Sequence, residues 1–397
     1  MRFIIVSDIH CMSKELKDVQ GGYAGSQGSS FFIEERVPSR NPIMAIEQAV
    51  SDFDGSIDAI LCLGDMAHQS KRLPMLQAWT DLHELGRKLN VPDIVGITGN
   101  HDLLSRVDSI EDAENRTDFL KNISPRFPNK DEAFSASYFQ NGVASKEFER
   151  CLLIAVDTCR WHGLGKDDKT SEKIWNVGHV SDTMRQEILA QIRASALSHV
   201  VIIMHHHPIK VDDILDTEED QMSSGAQLLA DIGDTDKNCI VIHGHKHQVN
   251  IKRHSKGLRP PIIFSSATFA ARPYPSQTTG FYNQFHILEF DTNKSLFPSG
   301  AIYSWNWAAS AWIKSKLDTM PFRQAFGPEI LLEKLAAELA GIPLTSKVAR
   351  QELFAGCPDL EFLPMSQFDD LNEILMKKYK RMLVAHQSTI QAMIEAS

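Results

Sequence analysis

Long hydrophobic runs are missing from this 397-residue sequence: no stretch reaches 18 apolar residues, so nothing in it reads as a membrane-spanning helix. The apolar run behind Met1 and Arg2 is too short for a secretory leader and no small-residue cleavage site follows it, which points to a cytosolic protein. Paired cysteines are missing too. The six present, Cys11, Cys62, Cys151, Cys159, Cys239 and Cys357, are scattered without a CxxC, and Cys62, Cys151 and Cys239 sit in or beside apolar runs where free thiols are buried. That usage argues against disulfides. An excess of positive charge is absent as well: a net charge of -10 gives no general basic surface for nucleic-acid phosphates and leaves only a local patch for them. No internal repeat or low-complexity tract is visible.

What the chain has instead is a set of apolar runs that stop on metal-binding residue types. In IDAILCLGDMAH the apolar run from Ile57 to Leu63 closes on Gly64 and Asp65, the pattern of a buried strand that delivers one carboxylate to its carboxyl end. FIIVSDIH ends on Asp8 and His10, PDIVGITGNHD on Asn100, His101 and Asp102, HVVIIMHHHP on His205, His206 and His207, and CIVIHGHKH on His245 and His247. One such ending is weak; five in one chain form a pattern.

The chain is long enough for one large or two ordinary domains. After a first strand over 3–7 comes a Gly- and Ser-rich loop to about Arg40, read either as a surface loop or as a substrate lid. Asn41 and Pro42 open a helix through Ala49, and a second helix runs from about Leu73 to Leu89. Residues 103–146 look irregular apart from a helix over Glu111 to Asn122, and the polar stretch from Cys159 to Val177 borders the site through Arg160, Trp161 and His162. CLLIAVDT is a strand, Ser181 caps a helix through Ile192, and a helix from Ala226 to Ile232 follows an acidic DTEED loop. PIIFSSAT, FHILEF and AIYSWNW read as further, mostly antiparallel strands. Strands alternating with helices, then strands in series, predict a layered α/β sandwich. From about residue 316 the pattern turns helical, over EILLEKLAAELAG and from Phe368 to about Ile394, so the expected domains are 1–315 and a helical extension 316–397.

Asp8 and His10 are two apart, as are His245 and His247, so in an extended chain each pair points to one side. Strand carboxyl ends in an open α/β sheet line one crevice, where the five endings can meet. Three carboxylate or amide oxygens and four imidazoles are too many ligands for one ion and suit two, the usual device for attacking a phosphate ester. Mixed oxygen and nitrogen donors favour Mn, Fe or Zn.

The order D-x-H, G-D-x-x, G-N-H-D, H and G-H-x-H resembles the calcineurin-like metallophosphoesterase superfamily, with five blocks spanning Asp8 to His247. The resemblance implies a four-layer α/β/β/α sandwich and dinuclear-metal hydrolysis of a phosphate ester by a hydroxide between the ions. Carried over, Asp8, His10 and His247 hold one ion, Asn100, His245 and a histidine of the HHH run hold the other, and Asp65 bridges. Ungapped alignment selects His205, with His206 as the fallback. His101 matches the histidine that protonates the leaving oxygen, with Asp102 orienting it. His68 stands where the family has a second acid. The blocks look like the cyclic-nucleotide and glycerophosphodiester branches, so a small-molecule phosphodiester is the expected substrate; a phosphomonoesterase or a DNA nuclease is the alternative. Arg106, Arg116 and Arg160 are the nearest candidates for a basic lining.

Overall fold

A computed structural model describes residues 1–16, 28–104, 115–161, 177–210, 221–222, 224–272, 282–293, 296–386 and 389–396. Residues 17–27 of the expected lid loop, Arg106, His162 and the DTEED stretch lie outside these residues. The chain divides into two compact units: Met1–Leu288 with Trp305–Ile313, and Glu289–Ser304 with Lys314–Ser397.

In the first unit the chain runs β1 (Arg2–Val6), α1 (Pro42–Ala49), β2 (Ala59–Cys62), α2 (Arg72–Lys88), β3 (Asp93–Gly96), α3 (Asp118–Asn122), α4 (Glu132–Asn141) and β4 (Val143–Glu147). It continues through β5 (Leu152–Val156), α5 (Asp182–Ala194), β6 (His199–Met204), α6 (Gly225–Gly233), β7 (Asn238–His243), β8 (Asn250–Arg253) and β9 (Ile262–Ser265). Then come β10 (Gln284–Phe290), β11 (Gly300–Ala308) and β12 (Ala311–Lys314), each of which has part of its residues in the second unit.

Two sheets result, in the orders β12-β11-β10-β1-β2-β3 and β4-β5-β6-β7-β9-β8. They meet face to face, with Phe3 edge-on to Phe148 at 5.6 Å and Phe264 edge-on to His286 at 5.0 Å. Helices cover the outer faces: Ile188, Leu189, Leu228 and Ile232 of α5 and α6 pack on Val200, Ile202 and Val241. This is the α/β/β/α sandwich. The central strands are apolar over most of their length because both of their faces are covered. Register matters most for function. Val6 pairs with Cys62 and Cys62 with Gly96, so β1, β2 and β3 stop level and release Asp8, Asp65 and Asn100 at one edge.

Caps behave as their chemistry predicts. Asn41 accepts a hydrogen bond from Met44 N at 3.1 Å, and Ser181 one from Met184 N at 3.3 Å. The supposedly irregular 103–146 stretch contains α4 and β4, with Asp131 accepting from Phe134 N at 3.0 Å and Gly142 ending the helix at φ 74°. Those cap and stop signals were readable; the weak amphipathicity between them hid the helix. PIIFSSAT also departs from expectation: β9 lies parallel to β7, because the polar edge strand β8 intervenes and pairs antiparallel with it.

The second unit adds β13 (Arg323–Phe326), α7 (Leu332–Gly341), β14 (Lys347–Ala349), α8 (Arg350–Gly356), α9 (Phe368–Tyr379), β15 (Arg381–His386) and β16 (Thr389–Glu395). Leu335, Leu339, Leu353, Leu371, Leu375, Leu383 and Met393 form its core. The helix expected to Ile394 stops at Tyr379. Lys380 takes a left-handed conformation at φ 56°, and the chain returns as the hairpin β15–β16, which pairs with β14. No glycine or proline marks that stop, and Met382 and Leu383 happen to continue the helical spacing, so the extension is not all-helical.

No helix among the described residues is long and apolar enough to cross a membrane. His286 is fully buried, and burial pushes its imidazole down to about 3. A folded-state pKa below the unfolded value means that stability is full above about pH 6.5 and is lost as pH falls toward 3, at about 1.4 kcal/mol per pH unit from this group. The Tm is therefore expected to drop between pH 7 and 5, and less so in His286→Phe; equal slopes in the two proteins would refute the assignment.

Candidate metal centre

Three of the five donor segments leave their strands through turns that an extended chain would not make. Asp8 (φ 53°), His10 (φ 48°), Asp65 (φ 53°), His245 (φ 75°) and His247 (φ 59°) all occupy the left-handed region. Each costs about 1–2 kcal/mol for a residue with a Cβ, and such strain persists only where the surroundings hold it. Here Asp8 N donates to Gly64 O at 3.1 Å, His10 N to Asp65 O at 2.8 Å and Gly244 N to His205 O at 3.0 Å. The expectation that D-x-H and H-x-H act as extended pairs is thus corrected: the strands end at Val6 and His243, and turns aim the side chains. Close approach of two loops sets the centre. A Cβ on Gly64 would lie 2.4 Å from Gly99 N, and one on Gly99 would lie 2.1 Å from Asp65 Oδ1, so only glycines let these backbones touch.

Two clusters of these side chains flank one oxygen of Asp65. On one side His10 Nε2 is 3.2 Å from His247 Nε2, and Asp8 Oδ1 is 3.4 Å from His247 Nε2 and 4.0 Å from His10 Nε2. On the other side Asn100 Oδ1 is 3.0 Å from His205 Nε2 and 3.2 Å from His245 Nδ1. Asp65 Oδ2 lies between, 3.6 Å from His10 Nε2 and 3.5 Å from His205 Nε2. Its other oxygen accepts a hydrogen bond from His101 N at 2.7 Å, which fixes the carboxylate's orientation. Asp8 is held similarly by Ser7 Oγ at 2.5 Å and His245 N at 3.0 Å.

This donor set fits metal cations. Asp8 and Asp65 are buried, and burial alone would raise both; neighbouring imidazoles, His247 for Asp8 and His205 for Asp65, outweigh it and hold both carboxyls below the usual range. Burial pushes His10 and His245 well down, so both rings are neutral with lone pairs to give. His205 Nδ1 donates to Leu63 O at 2.8 Å, leaving Nε2 to face the carboxylate. Burial lowers the His205 imidazole, but the Asp65 charge outweighs it and raises the pKa to about 9. A cation must displace that proton. Apparent metal affinity is therefore expected to rise about tenfold per pH unit up to about pH 9 and to level off above it. Metal titrations at pH 6.5, 7.5 and 8.5 check this, and a flat profile would mean that no proton is displaced.

His206, the alternative in the histidine run, sits back from the shared oxygen, with Nδ1 2.8 Å from Thr158 Oγ1. It could still join His205 and His245 around one ion. His101 lies beside the first group, its ring 4.9 Å from His10, and is partly exposed. Asp102 does not orient it. Oδ1 accepts from Met66 N at 2.8 Å and Ala67 N at 3.3 Å and Oδ2 from Gly99 N at 2.9 Å, so this carboxyl ties the two glycine loops together. His68 stands beside His101, stacked at 5.5 Å and 17° and 5.8 Å from His10, a third imidazole on this flank that only its place in GDMAH could have signalled. Arg116 and Arg160 make no basic lining: Arg116 Nη2 donates to Arg160 O, and Arg160 to Phe139 O at 2.8 Å and Gln140 O at 2.6 Å.

The family model for calcineurin-like phosphoesterases matches residues 1–249, and a second, described as wHTH-Calcineurin_assc, matches residues 324–377. The second unit has the corresponding order, α7-β14-α8-α9-β15-β16 with the sheet β14-β16-β15, a winged helix-turn-helix. Among solved structures, a dimetal phosphatase from Danio rerio is 12% identical, with a TM-score of 0.48 over 81% of this chain and 99% of that one. A purple acid phosphatase from yellow lupin (Lupinus luteus) seeds is 12% identical, with a TM-score of 0.45 over 79% of this chain and 52% of that one. No curated protein matches the chain in sequence.

Proposed function

The chain belongs to the calcineurin-like phosphoesterase family, and on that premise we propose that it hydrolyses a small-molecule phosphodiester with two metal ions. Asp8, His10 and His247 would hold one ion, Asn100, His205 and His245 the other, and Asp65 both. The observation that carries this reading is the position of Asp65 Oδ2, about equally far from an imidazole of each group. When bound, two cations supply the positive charge that neutralises a phosphate and acidifies an attacking water. The mixed oxygen and nitrogen donors favour Mn, Fe or Zn.

The chain's own residues supply the rest. His101 flanks the donor groups, partly exposed, and its backbone N–H holds Asp65 while its ring stays beside His10. A ring so placed can give a proton to a departing alkoxide. The His68 ring stacked on it limits its swing and takes the supporting position that Asp102 does not fill. The six cysteines are all free and buried, which supports a reducing, cytosolic setting for this chemistry.

Metal-stripped protein reloaded separately with Mn, Fe, Zn and Mg tests the reading. Faster hydrolysis of bis-p-nitrophenyl phosphate than of p-nitrophenyl phosphate is expected; the reverse preference would make the enzyme a monoesterase. A second reading, a nuclease, is favoured by the winged helix-turn-helix match, since such units commonly dock on nucleic acid. Against it, α9 offers little free positive charge: Lys377 pairs with Glu373 and Lys378 with Glu333. Cleavage of single-stranded DNA faster than of any small diester would decide for the nuclease.

A further inference from the structure

The second unit holds a cleft of ≈ 60 Å³ walled by β13, α8, the turn at 358–365 and the start of β16. Two guanidiniums line it. Arg323 is engaged, its Nη2 2.5 Å from Glu361 Oε1. Arg350 lies over the Phe354 ring at 4.2 Å and donates from Nη1 to the Ile390 carbonyl at 2.5 Å. Among the described residues no carboxylate lies within salt-bridge distance of Arg350; Arg323 presses a like charge on it, and the Glu361 carboxylate acts on it only from farther off. Two guanidiniums against one carboxylate leave the cleft with an unbalanced positive charge. The rest of the wall is mainly apolar, with the Thr389 hydroxyl on the exposed rim.

A guanidinium stacked on a ring and bonded through one nitrogen keeps the remaining donors of its fork for an anion. The space suits one compact group and is too small for a nucleoside. A tetrahedral dianion offers more oxygens to Arg350 and Arg323 together than a planar carboxylate, whose two oxygens are taken up by one bidentate pair. We propose that this cleft is an anion site for a terminal phosphate, either free or at the end of a phosphomonoester. No residue of the metal centre takes part, so the site stands apart from the phosphoesterase reading.

The test is calorimetric titration of the full, metal-stripped chain with inorganic phosphate and with adenosine 5′-monophosphate, against chloride at matched ionic strength. Stripping the metal removes phosphate binding at the metal centre. Saturable binding is expected, weakened about tenfold or more in Arg350→Gln, which loses the charge and the fork. Thr389→Glu, at an exposed position, places a carboxylate beside the guanidiniums and is expected to abolish binding even if Arg350→Gln fails to fold. Binding of phosphate alone would identify the free anion, and binding of both would identify a phosphomonoester end. Absence of saturable binding in the wild type, or unchanged binding in Thr389→Glu, would overturn the proposal.

Discussion

Asp65→Ala is expected to remove metal and turnover together, with metal affinity falling by well over about 100-fold and hydrolysis dropping to background. One oxygen, Oδ2, faces His10 on one side and His205 on the other, so its loss opens both donor groups at once. Asn100→Ala, by contrast, removes a donor that contacts His205 and His245, and leaves the Asp8, His10 and His247 group intact. Metal content after dialysis separates the two: none retained in Asp65→Ala, about one ion in Asn100→Ala. Asp65→Asn keeps the acceptor for His101 N and so tests charge apart from shape. It is also expected to bring the His205 pKa down from about 9, because the carboxylate charge that holds the proton is gone. If Asp65→Asn bound two ions as wild type does, the shared-ligand assignment would fail.

His101→Ala should do the opposite, keeping both ions while lowering kcat by about 10²- to 10⁴-fold, the range for loss of a positioned proton donor. The His101 backbone N–H bonds the other Asp65 oxygen, Oδ1, and that bond survives the substitution. The deficit should depend on the leaving group. A p-nitrophenolate departs without a proton and hides part of the loss, whereas an aliphatic alkoxide shows it in full. Equal losses for both leaving groups, or metal lost with rate, would remove the proton-donor role from His101. His68→Ala is expected to act more weakly and through His101, since its ring stacks on that residue.

Some expectations failed at places where long-range contact overrides local pattern. D-x-H and H-x-H looked like alternating strand positions, yet four of those residues sit in left-handed turns that an isolated chain would avoid. Asp102 looked like a partner for its neighbour His101, but three backbone N–H groups from two loops claim its oxygens. In the second unit, Lys380 breaks a helix that the spacing of Met382 and Leu383 would continue, because the buried faces of β15 and β16 complete a sheet with β14.

What the sequence by itself determined is the set of chemical parts and the edge at which they emerge. An apolar run is buried by its own composition, and where it stops on Asp, Asn or His the donor must lie just past a strand end. Five such stops are read without knowing any contact. Only the tertiary structure decided how those donors divide. Gly64 and Gly99 meet although 35 residues separate them. That meeting places Asp65 between two imidazoles and, with His206 Nδ1 set against Thr158, brings His205 to the shared oxygen. The physical reason is range: burial and strand stops depend on neighbours along the chain, whereas the aim of a side chain beyond a strand end depends on which distant backbone packs against it.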